Sequence, residues 1–405
     1  MKRFRRKPIS YYWLLGTTIV LLLFGIIMIF SASLSTAYTK EGDSYYYLKR
    51  QLLWAFLGLI SMGLLAKFDY HKLRKLSTTG IIITIALLAL VLIPGMGRTA
   101  GGASRWLTFG QFTFQPSEFA KLAIIIFAVD ILTKKRREIT NLSHLLIPLV
   151  PIAVFIALLV IFQPDLGTAF AICLSIFILM FLAGARIHHI FGVGLVGCVS
   201  IFLLIFSAGY RRQRFLSFFN PWSDPRGSGF HIIQSLLAFG SGGLRGVGLG
   251  LGRQKFFYLP ASHTDFIFAV IGEELGLLGT LLVVVLYSIL AIAGLRISLK
   301  SRERFGKLLG AGIICMILIQ ALINMGAVTG VIPITGIPLP LISFGGSSLF
   351  FTLCSIGILL NIASQEPRKA GAKVNASTHR WRRNRRAYLS RPRSSGRIKI
   401  TGGRD

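Results

Sequence analysis

Long apolar runs, separated by short polar stretches, dominate the pattern of this chain. A membrane-spanning helix needs about 20 mostly apolar residues. Runs that approach this length predict helices over residues 12–32, 50–66, 79–95, 116–133, 145–162, 166–184, 187–208, 264–295, 308–330 and 341–363. We therefore predict an all-α integral membrane protein of about ten transmembrane helices, with one large extracytoplasmic loop between helices seven and eight.

The composition agrees with a membrane protein. Of the 405 residues, 53% are hydrophobic and 15% are charged. A soluble domain of this length cannot bury so much apolar surface, so the bilayer must act as the solvent.

The basic residues indicate the orientation. Lys and Arg number 45 against 14 acidic residues, and they concentrate on alternate loops such as "KFDYHKLRK", "TKKRRE" and "RISLKSRERFGK". Lys and Arg favour cytoplasmic loops and anionic lipid headgroups, so both termini are expected in the cytoplasm. Nucleic acid is not expected as a partner, because the cations lie between spans rather than on one compact domain. We expect a basic cytoplasmic N-terminus over 1–11, a membrane domain over 12–363 and a disordered basic cytoplasmic tail over 364–405.

The large outer loop, residues 209–263, breaks this alternation. Its seven cations face a single acid, Asp224; they are Arg211, Arg212, Arg214, Arg226, Arg245, Arg253 and Lys255. Long loops cross the membrane regardless of charge, but outward cations also suit an anionic ligand such as a phosphate. Both interpretations stay open. The glycines of "AFGSGGLRGVGLGLG" predict irregular turns and close backbone approach.

Ionisable residues at membrane depth are functional candidates. In "FQPSEFAK", Glu118 and Lys121 share one helix face. They either neutralise each other, or Lys121 meets a substrate anion. In "QPDLGT", Asp165 lies at the outer end of a span, where it is either a helix cap or a functional group.

The stretch "HTDFIFAVIGEELG", residues 263–276, concentrates three carboxylates. If the helix starts at Thr264, Asp265 lies in its first turn, wet enough to stay ionised. Glu273 and Glu274 lie deeper and are expected to pair with buried cations or hydroxyls. His263 is either a second acid–base group or a hydrogen-bonded loop histidine.

An outward carboxylate with outward cations is the minimum set of groups for transfer from a lipid phosphate. The carboxylate activates a hydroxyl, and the cations stabilise the departing phosphate. Composition alone is equally compatible with a transporter. No ligand spacing for a metal is visible.

Five motifs together resemble the SEDS family (shape, elongation, division and sporulation), whose members include FtsW, RodA and SpoVE. They are "GGASRW", "FQPSEFAK", "QPDLGTA", "YLPASHTDFIFAVIGEELG" and "PLPLISFGGSS". The resemblance runs in order from about residue 11 to residue 363. It implies a ten-helix peptidoglycan glycosyltransferase that polymerises lipid II outside the cytoplasmic membrane and releases undecaprenyl pyrophosphate.

The resemblance also assigns residues and partners. The essential aspartate of the family falls on Asp265, which we expect to be the catalytic base. The expected substrate contacts are Arg105, Glu118, Lys121, Asp165, His263, Arg212, Ser343 and Ser347. A divalent cation, Mg²⁺ or Mn²⁺, would share the pyrophosphate charge. The implied partners are lipid II, a class B penicillin-binding protein (a transpeptidase), other divisome proteins and membrane lipids.

Both the activity and the branch of the family have alternatives at this point. A lipid II flippase would use the same polar residues to line a path across the bundle. A scaffold for division proteins would leave the activity to the penicillin-binding partner. The division branch, with FtsW, is favoured by "KFDYHKLRKLS" and "LIPGMGRTAGGASRW" and places the protein at the septum. The elongation (RodA-type) and sporulation (SpoVE-type) branches are the alternatives.

Overall fold

The apolar runs of the sequence form helices close to their predicted positions. The computed structural model describes residues 7–100, 103–110, 112–134, 142–207, 209–256 and 259–365. In chain order the helices are α1 (Ile9–Glu41), α2 (Tyr46–Lys67), α3 (His71–Lys75), α4 (Ser77–Leu92), α5 (Pro116–Lys134), α6 (Leu142–Phe162), α7 (Leu166–Leu182), α8 (Ile187–Phe206), α9 (Gly209–Phe219), α10 (Phe230–Gly242), α11 (Ile267–Lys300), α12 (Arg304–Val328) and α13 (Gly346–Ser364).

These helices make the chain a multi-pass membrane protein. Within the described ranges, α1, α2, α8, α11, α12 and α13 are long and apolar enough to cross a bilayer. Helices α4 and α7 and residues Leu149–Phe162 of α6 are apolar but shorter. Helix α5 occupies the remaining predicted span and carries Glu118, Lys121 and Asp130. The exact number of crossings stays a prediction.

A small antiparallel sheet was not predicted. Strands β1 (Gly97–Ala100), β2 (Ala103–Phe109) and β3 (Phe112–Phe114) pair in the order β1-β2-β3. Leu107 on the central strand pairs with Gly97 on one side and Phe114 on the other. The strands have only four, seven and three residues, too few to show the alternation that marks a strand in a sequence. The sheet is part of the fold that positions Arg105.

The helices pack around one apolar core. Helix α2 runs along α13, and α11 packs between α1 and α12. At the first of these contacts a side chain on Gly357 would overlap the backbone of α2 at Met62, so glycine permits the close approach. Helix α8 is almost wholly exposed and packs mainly against α7 and α9.

The segment predicted as a large outer loop over 209–263 contains much helix. Helix α9, a 3₁₀ turn at Pro221–Ser223 and α10 occupy most of its first half, and α10 packs along α11. Residues 1–6 of the predicted basic N-terminus, and the predicted tail beyond Gln365, lie outside the described residues.

Candidate active site

Helix α11 is broken beneath the candidate site. Gly276 adopts φ 66° and ψ −159°, a conformation that only glycine takes easily. The break exposes backbone groups that lipid cannot satisfy, and the glycine-rich segment supplies their partners. The backbone N–H groups of Val247 and Gly248 donate to Glu273 O and Glu274 O, both at 3.0 Å. In the other direction, Leu277 N–H donates to Gly243 O at 2.9 Å and Leu278 N–H donates to Leu244 O at 3.3 Å. The predicted close backbone approach is confirmed.

The Glu274 carboxylate is fully engaged at this break. It accepts hydrogen bonds from Lys255 Nζ at 2.7 Å and from Ser31 Oγ at 2.7 Å. The Lys255 ammonium also donates to Gly250 O at 2.7 Å. All three charged or polar side chains are buried, so the expectation of a buried cation and hydroxyl is confirmed for Glu274. Lys255 was wrongly counted among the outward cations, because its chain folds back into the bundle.

Glu273 is satisfied in a different way. Its carboxylate accepts backbone N–H bonds from Arg253 at 2.7 Å and from Gln254 at 3.2 Å. These donors belong to the same loop that carries Lys255. Glu273 and Glu274 therefore fasten the loop to the first half of α11, and neither carboxylate is open to a substrate.

Asp265 has no such partners. It precedes α11, which starts at Ile267 rather than at Thr264. Among the residues that the structure describes, none donates a hydrogen bond to its carboxylate. Burial raises the pKa of this carboxyl to about 6. Asp265 is thus more buried than a surface aspartate, but with a pKa of about 6 it is still ionised at pH 7 and titrates close to the working pH, as a general base requires.

Charged groups from three other segments act on Asp265. The Arg105 and Arg214 guanidiniums oppose the rise of its pKa, whereas the Asp165 carboxylate adds to it. Arg105 is held by carbonyls, since its Nε donates to Gln163 O at 3.1 Å and its terminal nitrogen donates to Pro164 O. The region thus combines two carboxylates with two guanidiniums.

Helix α11 starts two residues after Asp265, and hydrogen bonds link the N-termini of α5, α7 and α13 to one another. Asp165 caps α7, accepting from Thr168 N at 3.2 Å and from Thr168 Oγ1 at 2.9 Å. Gln115, just before α5, makes two hydrogen bonds. Its Nε2 donates to Asp165 Oδ2 at 3.4 Å, and its backbone N–H donates to Ser347 Oγ at 3.1 Å. Helix N-termini carry partial positive charge, so the arrangement favours an anionic ligand.

Comparison with known proteins decides the family. The profile of the cell cycle protein family of FtsW, RodA and SpoVE matches residues 12–368. The chain belongs to this family. Its membership agrees with the resemblance to SEDS proteins that the motifs indicated.

Relatives of both the sporulation and the division type are similar over most of their length. Stage V sporulation protein E of Bacillus subtilis is 47% identical, across 85% of this chain and 94% of the relative. The probable peptidoglycan glycosyltransferase FtsW of Geobacter metallireducens is 41% identical, across 86% of this chain and 92% of the relative.

Solved SEDS structures share the fold. One chain of a peptidoglycan synthase complex that coordinates polymerization and crosslinking superposes with a TM-score of 0.72 at 29% identity, covering 89% of this chain and 98% of that one. The rod shape determining protein RodA of Thermus thermophilus gives 0.67 at 26% identity, covering 90% of this chain and 99% of that one.

The remaining site residues of this SEDS protein occupy distinct positions. Glu118 and Lys121 form a buried ion pair of 2.7 Å, the arrangement that mutual neutralisation requires. A substrate contact for Lys121 stays a prediction. Arg212 is exposed on α9.

Two serines hold the loops of the site together. Ser343 Oγ donates to Thr264 O at 2.6 Å and accepts from Leu339 N at 2.8 Å. Ser347 Oγ donates to Thr113 O at 3.3 Å. The structure thus shows both hydroxyls bonded to backbone; their contact with substrate stays a prediction.

His263 is buried against Tyr47 and Phe344, with ring centroids 4.4 Å and 5.8 Å away. Burial lowers the pKa of its imidazole to about 4, so the ring is neutral at pH 7. Its Nδ1 has no hydrogen-bond partner in the described part of the chain. The geometry gives His263 an aromatic contact rather than the expected hydrogen bond.

Sequence reasoning missed Asn324. It lies on α12 within the apolar run "ALINMGAV" and donates to the backbone of Asp265. A lone amide within an apolar span was the available signal, but an uncharged side chain at membrane depth indicates function less strongly than an ionisable one.

Proposed function

We propose that this membrane protein is a peptidoglycan glycosyltransferase that polymerises lipid II into β-1,4-linked glycan strands. Its SEDS membership and the activity named for its FtsW relatives support this function. The observation that carries the proposal is Asp265, a carboxylate without a bonded partner that titrates near neutral pH beside two guanidiniums.

Asp265 acts as the general base. Its carboxylate takes the proton from the 4-hydroxyl of the acceptor's GlcNAc, and that oxygen attacks the anomeric carbon of the donor's MurNAc with inversion. The bond from the anomeric carbon to the pyrophosphate oxygen breaks, and undecaprenyl pyrophosphate leaves. A base with a pKa near the working pH is suited to this transfer.

The charge that develops on the pyrophosphate is met by Arg105 and the converging helix N-termini. Such preorganised positive groups stabilise a transition state because they need no reorganisation during the reaction. Lys121 contributes if the Glu118 pair opens, and Arg212 attracts the anionic substrate from the outer surface. Asp165, Ser343 and Ser347 keep the surrounding loops in place.

A divalent cation, Mg²⁺ or Mn²⁺, would enter with the pyrophosphate. Within the described residues no group of three or more His, Cys, Asp and Glu side chains is arranged to hold a metal. A protein-held metal centre does not fit these residues, and we derive no step through one.

The cellular setting follows from the family and its complexes. We place the chemistry on the outer face of the bacterial cytoplasmic membrane, with both termini in the cytoplasm. A class B penicillin-binding protein would supply crosslinking, as the similarity to a polymerizing and crosslinking synthase complex suggests. We assign the protein to division at the septum, with other divisome proteins, because several curated relatives of 41–42% identity are FtsW proteins.

Purified lipid II distinguishes this function from lipid II transport. The protein, reconstituted with its transpeptidase partner and no other glycosyltransferase, should convert lipid II into long glycan strands that are visible on a gel. Transfer of lipid II between leaflets without any strand would contradict the proposal. A transport path would need polar side chains that are open to the substrate. Those of Glu118, Lys121, Glu273 and Glu274 are instead bonded within the protein, which favours the enzyme.

A further inference from the structure

Asn324 is a buried amide directly behind Asp265. Its side chain is 2% exposed on α12. Its Nδ2 group donates one hydrogen bond to Asp265 O at 2.7 Å and another to Ile337 O at 2.8 Å. A single amide therefore joins the segment before α11 to the segment between α12 and α13.

Asp265 and Asn324 both line a small pocket. Thr335 and Gly336 also line it. The Asp265 carboxylate lies close over Gly336, because a side chain built there would start 3.6 Å from Asp265 Oδ2. Gly336 has φ 74°, so a side chain is also disfavoured by the backbone.

The wall of this pocket is mostly apolar but contains two buried polar side-chain atoms. Asn324 Oδ1 and Thr335 Oγ1 are buried, and neither has a hydrogen-bond partner within the residues that the structure describes. Buried polar atoms are normally satisfied. The Asn324 carbonyl oxygen can accept a hydrogen bond and the Thr335 hydroxyl can donate or accept one, so the pocket beside Asp265 can bond a polar group.

We propose that Asn324 is the positioning residue for Asp265: its two N–H bonds fix the main chain so that the carboxylate stays over Gly336, at the small pocket. This inference rests on the proposed role of Asp265 as the base. Asn324 touches the backbone of Asp265 and not the reacting atoms, so it acts through Asp265.

The position of Asp265 sets its protonation. Burial raises the pKa of its carboxyl; the facing charges are Arg105 of β2, Arg214 of α9 and Asp165 at the start of α7. If the two bonds from Asn324 are lost, the segment relaxes and the carboxylate becomes more hydrated. Its pKa then falls toward 3.8, the ordinary aspartate value.

Asn324→Ala tests the inference in the full-length protein with its partner and lipid II. We expect kcat to fall about 10–100-fold, since a small misplacement of a catalytic group has effects of this order. KM should stay within about threefold, because bound substrate is not contacted. The acid limb of the pH–rate profile should move down by roughly one pH unit.

Asn361→Ala is the matched control. Asn361 is also buried and makes two backbone bonds, donating to Ala66 O at 3.0 Å and accepting from Tyr70 N at 3.1 Å. It lies near the opposite end of the bundle. This variant should lose a similar amount of thermal stability while keeping kcat and the acid limb.

A wild-type kcat and acid limb in Asn324→Ala would overturn the positioning role. If Asn324→Ala does not fold, Asn324→Ser, which keeps one donor, should fold and show a smaller kcat loss with a smaller pH shift; unchanged values there would also overturn it. An active Asp265→Asn protein would instead refute the proposed base, so the two failures are distinguishable.

Discussion

Asp265 and Glu274 stand near the two ends of one sequence stretch and have opposite environments. Glu274 is wholly buried and bonded to an ammonium and a hydroxyl. Asp265 has its backbone fixed by Asn324 and its carboxylate without a bonded partner. A carboxylate whose bonds are all made inside the protein holds structure together, whereas one that is fixed but unbonded is available for proton transfer.

Removing the buried carboxylate should have the largest effect. Glu274→Gln leaves the Lys255 ammonium buried without a counterion, and breaking a buried pair in this way costs about 3–5 kcal/mol. Thermal unfolding in detergent measures the loss. Lys255→Met added to Glu274→Gln should recover much of it. If Glu274→Gln unfolds at the same temperature as wild type, the Glu274–Lys255 pair does not stabilise the fold.

Glu118 and Lys121 are buried and bonded to each other, as Glu274 and Lys255 are. They lie on α5, whose N-terminus borders the candidate site. The Glu118→Gln, Lys121→Met double variant removes both charges together, so the fold should persist. If Lys121 meets the pyrophosphate, polymerisation should still fall about 10²–10³-fold, the usual effect of losing one transition-state donor. Near-normal turnover would leave the pair as mutual neutralisation.

The helix break beneath the two glutamates can be tested by a smaller change. Gly276→Ala places a side chain at a positive φ that almost only glycine adopts, which costs about 1–3 kcal/mol, and overlaps the backbone of Leu244 and Gly246. Gly63 on α2 has open space around its Cα. Gly63→Ala should therefore change stability by no more than about 1 kcal/mol. Equal melting of the two variants would contradict the account of the break.

Asp265→Asn should change stability in the opposite direction. The pKa of Asp265 is raised in the folded protein, so its ionisation opposes folding increasingly from about pH 3.8 and fully above about pH 6. The variant should melt higher than wild type at pH 8, with the difference vanishing near pH 4. A marked fall in melting temperature at pH 8 would make Asp265 a structural carboxylate.

The sequence predicted the helices well because membrane helices are marked by long apolar runs. The pairing of Glu274 with a buried cation could also be predicted, since a lone charge at that depth is unfavourable. Its partner could not be identified, because Lys255 lies on a glycine-rich loop whose path depends on the break at Gly276. The β-sheet near Arg105 and the amide of Asn324 were not predicted, since their roles depend on contacts between distant segments.

The pH dependence of polymerisation tests the central claim most directly. Wild type and Asp265→Asn are assayed side by side on lipid II, with the same partner, from pH 5 to pH 9. As the pH falls through about 6, Asp265 gains its proton and the wild-type rate should fall. Asp265→Asn should be about 10²–10⁴-fold slower at pH 8, as for a lost general base, and should lack this acid limb. A near wild-type rate in Asp265→Asn, with the acid limb intact, would contradict the assignment of Asp265 as the base.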